Sequence, residues 1–250
     1  MGFNFSGVNR NSWLGRCLRL PLRLLPTELA IPVLQGPLRG ARWVVGASNH
    51  GCWLGSYEYS KQRAFQKVVR DGSVVYDIGA NVGFYTLLAS QLVGRSGRVF
   101  AFEPVPRNCR LLRRHLEINC VDNVSILEMA VSSMNGKAVF DSSANHSMGH
   151  LAACGTLNVP TITIDTFVFD QAMPWPEVIK IDVEGAELEV LKGASQTLRR
   201  HRPLILLATH GAAVHRECCG FLEKHGFVLE SLDTRPLEQS DELVARPSEV

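Results

Sequence analysis

The sequence predicts an α/β fold in which a doubly wound, mostly parallel sheet carries helices on both faces and sits with an N-terminal cap. Three observations carry that expectation. From Val74 onward, short β-branched runs alternate with stretches of helical period, the pattern of strand–helix–strand units with right-handed crossovers. The runs are apolar almost throughout, as strands buried on both faces are. The first of them, Val74-Val75-Tyr76-Asp77, breaks into Ile78-Gly79-Ala80-Asn81-Val82-Gly83 and continues as a helix opening, a strand–turn–helix geometry that brings backbone N–H groups close to a ligand.

Residues 1–54 form a basic, leucine-rich extension or cap, 55–235 the main domain and 236–250 an acidic, proline-containing tail that adds an edge strand or stays loose. Within 1–42, six arginines stand against Glu28 alone, interleaved with Trp13 and leucines. Such a segment either packs its leucines on the domain or touches an anionic membrane surface or a partner. Pro21, Pro26, Pro32 and Pro37 cut any helix into short pieces. Turns with aromatics follow to Tyr57, then a helix from Glu58 to Val69 placed to lie over the glycine turn, which makes Tyr57 and Glu58 candidate substrate contacts. The core elements are strand 74–77, helix 83–93, strand 98–102, helix 106–119, strand 124–131, strand 178–182, a helix through Leu198, strand 203–209, helix 213–225 and strand 226–232. Between them lies a long polar insertion, 132–158, containing His146 and His150 as candidate substrate-loop residues. A short strand at Gly136–Phe140, an extended piece at 159–164 and a short helix opening at Asp165 complete that region.

Composition narrows the function classes. Apolar content of 46% and charged content of 20% are those of a globular enzyme, and a net charge of +2 does not point to nucleic acid. Seven cysteines without a C-x-x-C pair suit a reducing compartment, and no apolar run approaches the ~18 residues of a spanning helix, so a cytoplasmic protein is expected.

In an open α/β sheet the ligand lies beyond the carboxyl ends of the strands, which collects the Asp77–Gly83 turn, Glu103, Ala130 and Asp182 on one rim. Glu103, ending the second strand, is placed to accept hydrogen bonds from a ribose diol. A dinucleotide needs glycines at 81 and 84, where the chain has Asn81 and Phe84, and no G-x-x-x-x-G-K-[ST] loop is present for a triphosphate. A ribose-bearing cofactor without a phosphate string fits, and S-adenosylmethionine is the candidate.

Three stretches make the reading specific: Asp77-Ile78-Gly79-Ala80-Asn81-Val82-Gly83-Phe84-Tyr85-Thr86, Phe102-Glu103-Pro104, and Ile179-Lys180-Ile181-Asp182-Val183-Glu184-Gly185-Ala186-Glu187. Together, over roughly residues 55–230, the chain resembles the FkbM family of S-adenosylmethionine-dependent methyltransferases. The resemblance implies a Rossmann-like methyltransferase fold. It also implies that Asp77, Gly79, Ala80, Asn81 and Gly83 hold the methionine part of the cofactor. Glu103, with Pro104, would bind the ribose, Met129 and Ala130 would border the adenine, and Asp182 and Glu184 would face the transferred methyl group. One departure is Ala208-Thr209-His210, where many relatives end the fifth strand in a glutamate.

For a hydroxyl acceptor a base must lie within hydrogen-bond reach, and the candidates in order are Asp182, Glu184 and His210. No metal site is expected: His215, Cys218 and Cys219 near His210 would share a helix, with the adjacent cysteines splayed about 100° apart. The expected function is O-methylation of a hydroxyl on a sugar, glycan or secondary metabolite. The alternative is a non-catalytic binding or scaffold protein that keeps the fold and uses its basic N-terminus to reach a membrane or partner.

Overall fold

The computed structural model describes residues 25–141, 150–151, 157–233 and 235–248. Its main sheet has seven strands in the order β12-β13-β11-β10-β3-β4-β5. Here β3 is Val74–Ile78, β4 Arg98–Phe102, β5 Val124–Leu127, β10 Val178–Ile181, β11 Leu204–Ala208, β12 Phe227–Ser231 and β13 Glu242–Pro247. The five strands from β11 to β5 run parallel, while β13 is antiparallel to both its neighbours. Two small sheets stand apart: β1 (Ala30–Pro32) with β2 (Arg42–Val44), and β6 (Ala130–Val131), β7 (Gly136–Asp141), β8 (His150–Leu151) and β9 (Leu157–Ile162).

Helices α1 (Gly51–Leu54), α2 (Tyr59–Val68), α3 (Phe84–Val93), α4 (Pro106–Ile118), α5 (Glu187–Lys192), α6 (Ser195–His201) and α7 (Ala212–Lys224) cover both faces of the sheet. One core packs Val75, Leu87, Leu88, Val99 and Leu112 against the cap residues Val33, Leu38 and Trp43 and against Phe65 of α2. The other packs Ile78, Phe102, Ile179, Ile181, Leu191, Leu198 and Leu222. Burial on both faces is why these strands read as apolar runs.

Residues 25–54 are therefore part of the core. His115 of α4 staples them down: its Nε2 accepts the Val44 N–H at 3.1 Å, its Nδ1–H donates to Val82 O at 2.7 Å, and Trp43 stacks on the ring at 3.9 Å. Asn119 adds two bonds to the Arg42 backbone, at 2.7 and 2.8 Å. Most of the predicted leucine-rich segment, residues 1–24, and His146 lie outside the described residues. No described helix is long and apolar enough to cross a membrane.

Four expectations are corrected. The single strand at 124–131 divides, because the chain turns at Glu128-Met129 and sends Ala130–Val131 into the second sheet beside β9. The helix through Leu198 breaks at Gly193, where a Cβ would stand 2.1 Å from Ser132 O, and Asp165 caps the Gln196 and Thr197 N–H groups of α6 at 2.8 Å each. The opening at Asp165 becomes a single π-helical turn, Thr166–Asp170. The tail supplies β13, which lies inside the sheet between β11 and β12 instead of at its edge.

Candidate active site

The carboxyl ends of β3, β4, β10 and β11 open onto one cleft of about 580 Å³, roofed by Gly46–Asn49 of the cap. That volume lies within the roughly 300–1,000 Å³ range of small-ligand pockets. The cleft stands where the sheet order reverses, with β4 on one side of β3 and β10 on the other.

Its first half is built from main chain. The Gly79 and Ala80 N–H groups both donate to Phe102 O at 3.0 Å, pinning the turn to the end of β4. Gly79 has φ +76°, and a Cβ there would stand 1.9 Å from Asp182 O, so only glycine lets the rims of β3 and β10 meet. Asn81 also holds a left-handed conformation, φ +51°, which asparagine tolerates, and its N–H donates to Glu103 Oε2 at 2.8 Å. Glu103 Oε1 accepts from Val105 N–H at 2.9 Å and Asn108 Nδ2 at 3.1 Å. Burial pushes the Glu103 carboxyl above its ordinary range, against those three hydrogen bonds and the charge of Lys180.

Asp77 lies beneath this turn. It is fully buried, its Oδ2 accepts from Thr86 Oγ1 at 2.6 Å, and its Oδ1 faces Lys180 Nζ at 3.2 Å. Lys180 in turn donates to Gly79 O at 2.9 Å. The pair supports the turn from behind, and Asp77 does not line the cleft.

The second half is built from charged side chains. Asp182 Oδ2 lies 3.2 Å from Lys61 Nζ and 3.8 Å from Lys180 Nζ. Lys61, on α2, also reaches Glu242 at 3.1 Å and Glu58 at 3.3 Å, and Glu58 accepts from Tyr85 Oη at 2.9 Å. Burial works to raise the Asp182 carboxyl, but Lys180, Lys61 and His210 outweigh it and hold it at about 2. After β10 the chain turns through Glu184 (φ +55°) and Gly185 (φ +107°). A non-glycine residue in that region costs about 1–2 kcal/mol, and here it brings Glu184 Oε2 to 3.3 Å from His210 Nε2. Glu187, fully buried at the start of α5, accepts from Gly185 N–H at 2.9 Å and from His210 Nδ1 at 2.8 Å. That bond assigns the proton to Nδ1 and turns Nε2 to the cleft. The His210 pKa is raised, first by the bond to Glu187 and further by Glu184 and Asp182, against the effect of burial.

Asp182, Glu184 and His210 each offer a ligand atom within 4.8 Å of the others, close enough for a divalent cation. At Asp182, however, Lys61 and Lys180 already supply positive charge. His215, weighed from the sequence as a metal ligand, turns away to Thr209 at 3.0 Å and Cys219 at 3.4 Å.

A model of the family described as the methyltransferase FkbM domain matches residues 77–232, well over half of the sequence. The chain belongs to the FkbM methyltransferase family. Among its relatives, the hexuronic acid methyltransferase AglP of Haloferax volcanii is 32% identical over 139 residues, 55% of this chain and 56% of that protein. The 2-O-methyltransferase NoeI of Sinorhizobium fredii is 27% identical over 149 residues, 52% of this chain and 60% of that one. The match thus spans little more than half the length of either relative. Among solved structures, a methyltransferase FkbM from Methylobacillus flagellatus KT aligns with a TM-score of 0.51 at 16% identity, over 80% of this chain and 55% of that one. An S-adenosylmethionine-dependent O-methyltransferase from Thermotoga maritima aligns at 0.52 and 13% identity, over 78% and 67%. At such identities the likeness is one of fold.

The FkbM family depends on S-adenosylmethionine, and the first half of the cleft fits that cofactor. Glu103 Oε2 accepts from the Asn81 N–H and has a second lone pair for a further donor. Beside it, Asn108 Oδ1 is buried with no hydrogen-bond partner among the described residues, an acceptor waiting for a hydroxyl or amine donor. Of the residues expected at the cofactor, Gly79, Ala80, Asn81, Glu103, Pro104, Ala130 and Asp182 line this cleft; Asp77, Gly83 and Met129 do not. Gly83 instead starts α3 with φ +94°. Tyr57, Glu58, Glu184 and His210 also line it, while His150 is placed by its backbone in β8, opposite Asp141. Sequence reasoning missed Lys61, Lys180, Glu187 and Glu242.

Proposed function

We propose that this chain is an O-methyltransferase that moves the methyl group of S-adenosylmethionine to a hydroxyl of a sugar or glycan, with His210 as general base. The observation that carries the reading is the His210–Glu187 pair at 2.8 Å on the cleft rim. The names of the two relatives, a hexuronic acid methyltransferase and a 2-O-methyltransferase, support a sugar acceptor.

Bound S-adenosylmethionine supplies a methyl group on an already electrophilic sulfonium. The chain's own task is to align the acceptor oxygen and take its proton. The turn at Gly79–Asn81 and the Glu103–Asn108 pair are suited to hold the cofactor, and Asp182 and Glu184 to flank the acceptor. Asp182 stood first among the candidate bases, but a carboxylate held at about 2 between two lysines is too weak a base to assist well near neutrality. His210, with Nδ1–H fixed on a buried carboxylate, is the better acceptor of a proton at Nε2. The seven cysteines without a C-x-x-C pair, five of them free among the described residues, support a reducing, cytoplasmic setting.

The base must be neutral to act, so kcat/KM rises with pH through a midpoint above the ordinary histidine value of about 6.5. His210→Gln is expected to lower kcat by about 10²–10⁴ while cofactor affinity in calorimetry stays the same. Glu187→Gln is expected to move the midpoint down, because it removes the group that raises it. Full turnover in His210→Gln together with loss in Asp182→Asn would return the role to Asp182.

A further inference from the structure

The half of the cleft beyond the cofactor turn is acidic, and its cations are already engaged. Glu58, Asp182, Glu184 and Glu242 line it, and Glu187 stands directly behind His210. Against them stand Lys61 and Lys180. Lys61 is held by Glu242, Asp182 and Glu58 at 3.1, 3.2 and 3.3 Å. Lys180 is held by Gly79 O at 2.9 Å and by Asp77 and Asp182 at 3.2 and 3.8 Å. Their side chains are 3% and 4% exposed, so neither ammonium is presented to an incoming ligand. His210 meets Glu187 with Nδ1 and has Glu184 3.3 Å from the Nε2 that it turns to the cleft. The other cation lining the cleft among the described residues, Arg107, sits on the first turn of α4 beside Asn108, at the cofactor end.

With His210 neutral, four lining carboxylates against two lysines leave this half two charges negative, before Asp77 and Glu187 behind it are counted. The cofactor, with one sulfonium, one ammonium and one carboxylate, offsets only one of them. A carboxylate on the acceptor would find no free cation among the described residues of this half and would stand against like charge. Hydroxyl and ammonium groups would meet the opposite: carboxylates accept hydrogen bonds from both, most strongly from a charged donor. Burial, with Glu58 and Asp182 nearby, pushes the Glu242 carboxyl above its ordinary range in spite of Lys61.

Resting on the sugar-methylation reading, we infer that the acceptor is a neutral or amino-bearing sugar, and that Glu58, Glu184 and Glu242 select it against acid sugars. In this the chain would part from its hexuronic acid-methylating relative, to which it is 32% identical over 139 residues. Two of the three selecting groups come from outside the strand-end motifs: Glu58 from the start of α2 and Glu242 from the antiparallel strand β13.

The test is labelled-methyl transfer to three matched acceptors that differ at one position: a hexose, the corresponding 2-amino hexose and the corresponding hexuronate. The expected result is a kcat/KM for the hexuronate at least about thirtyfold below the other two. Saturation-transfer NMR on protein loaded with S-adenosylhomocysteine should rank binding in the same order. Glu242→Gln and Glu184→Gln should each narrow the discrimination at least about threefold, and either variant suffices if the other does not fold. Hexuronate preferred or equal in either readout, or discrimination unchanged in both variants, overturns this inference and leaves the sugar reading standing. No transfer to and no binding of any of the three overturns the sugar reading and this inference with it.

Discussion

The two halves of the cleft are made in different ways. The half proposed for the cofactor is a main-chain construction: Gly79 and Ala80 hang from Phe102 O, Asn81 N–H meets Glu103, and all of it lies at the ends of adjacent strands. The half proposed for the acceptor is assembled by side-chain charge from α2, the turn after β10, α5, the turn after β11 and β13. Lys61 and Glu242, which touch at 3.1 Å, are 181 residues apart in the chain. A site made from main chain is fixed by local backbone geometry and tolerates change in the side chains around it. A site made from charges depends on several distant residues together and can be retuned by one substitution, which suits the half that chooses the acceptor.

That contrast would be weakened if the cofactor turn also depended on a charge. Lys180 supplies the sharpest test, because it binds Gly79 O and balances the fully buried Asp77. Removing one partner of a buried pair costs about 3–5 kcal/mol, since the other charge is left uncompensated. Lys180→Met should show that loss in urea unfolding, and Asp77→Asn in the same chain should recover part of it. A cost below about 1 kcal/mol would mean that backbone bonds alone carry the turn. Next in size is Glu103→Ala. Hydrogen bonds to a charged group are worth about 1.5–3 kcal/mol, so the cofactor Kd measured by calorimetry should rise about ten- to a hundredfold. Unchanged affinity would remove the main support for placing the ribose there and would favour the non-catalytic reading of the fold.

The cofactor half was legible because its signals are contiguous: a glycine turn, an acid one strand away and an apolar run before each. Even so, Asp77 was misplaced, since sequence shows that an acid ends a strand but not which way its side chain turns. The acceptor half was legible only in part. Asp182, Glu184 and His210 stood out as polar groups at strand ends. Lys180 carried a signal that went unused, a lysine inside the buried run Val178-Ile179-Lys180-Ile181, where a charge is rare without a partner. Glu187 lay within a recognised motif, but its partner His210 is 23 residues away and reached only through the fold. Glu242 had no local signal at all: an acid in a polar tail becomes a cleft residue only because β13 inserts between β11 and β12. The break after Leu127 was hidden for a related reason, because Ala130 and Val131 remain extended but change sheets.

The cap offers the finest probe of the comparison, since it is tied to the cofactor turn through a single side chain. His115 accepts from Val44 of the cap and donates to Val82 of the cofactor turn, an arrangement that only the neutral imidazole can make. Burial lowers its pKa to about 4, against the effect of the Val82 bond. The unfolded chain binds a proton near 6.5 and the folded chain does not until about 4. This group's contribution is therefore complete above 6.5 and is lost as pH falls through that window, by about 1.4 kcal/mol per pH unit. Wild-type protein and His115→Gln should thus differ less in stability at pH 5 than at pH 7, as read from urea midpoints at constant m-value. Cofactor affinity in His115→Gln should fall as well, because Val82 loses its anchor. Equal pH slopes in the two proteins would show that the cap is held by its apolar contacts alone, and that the cofactor turn is as self-sufficient as its backbone bonds suggest.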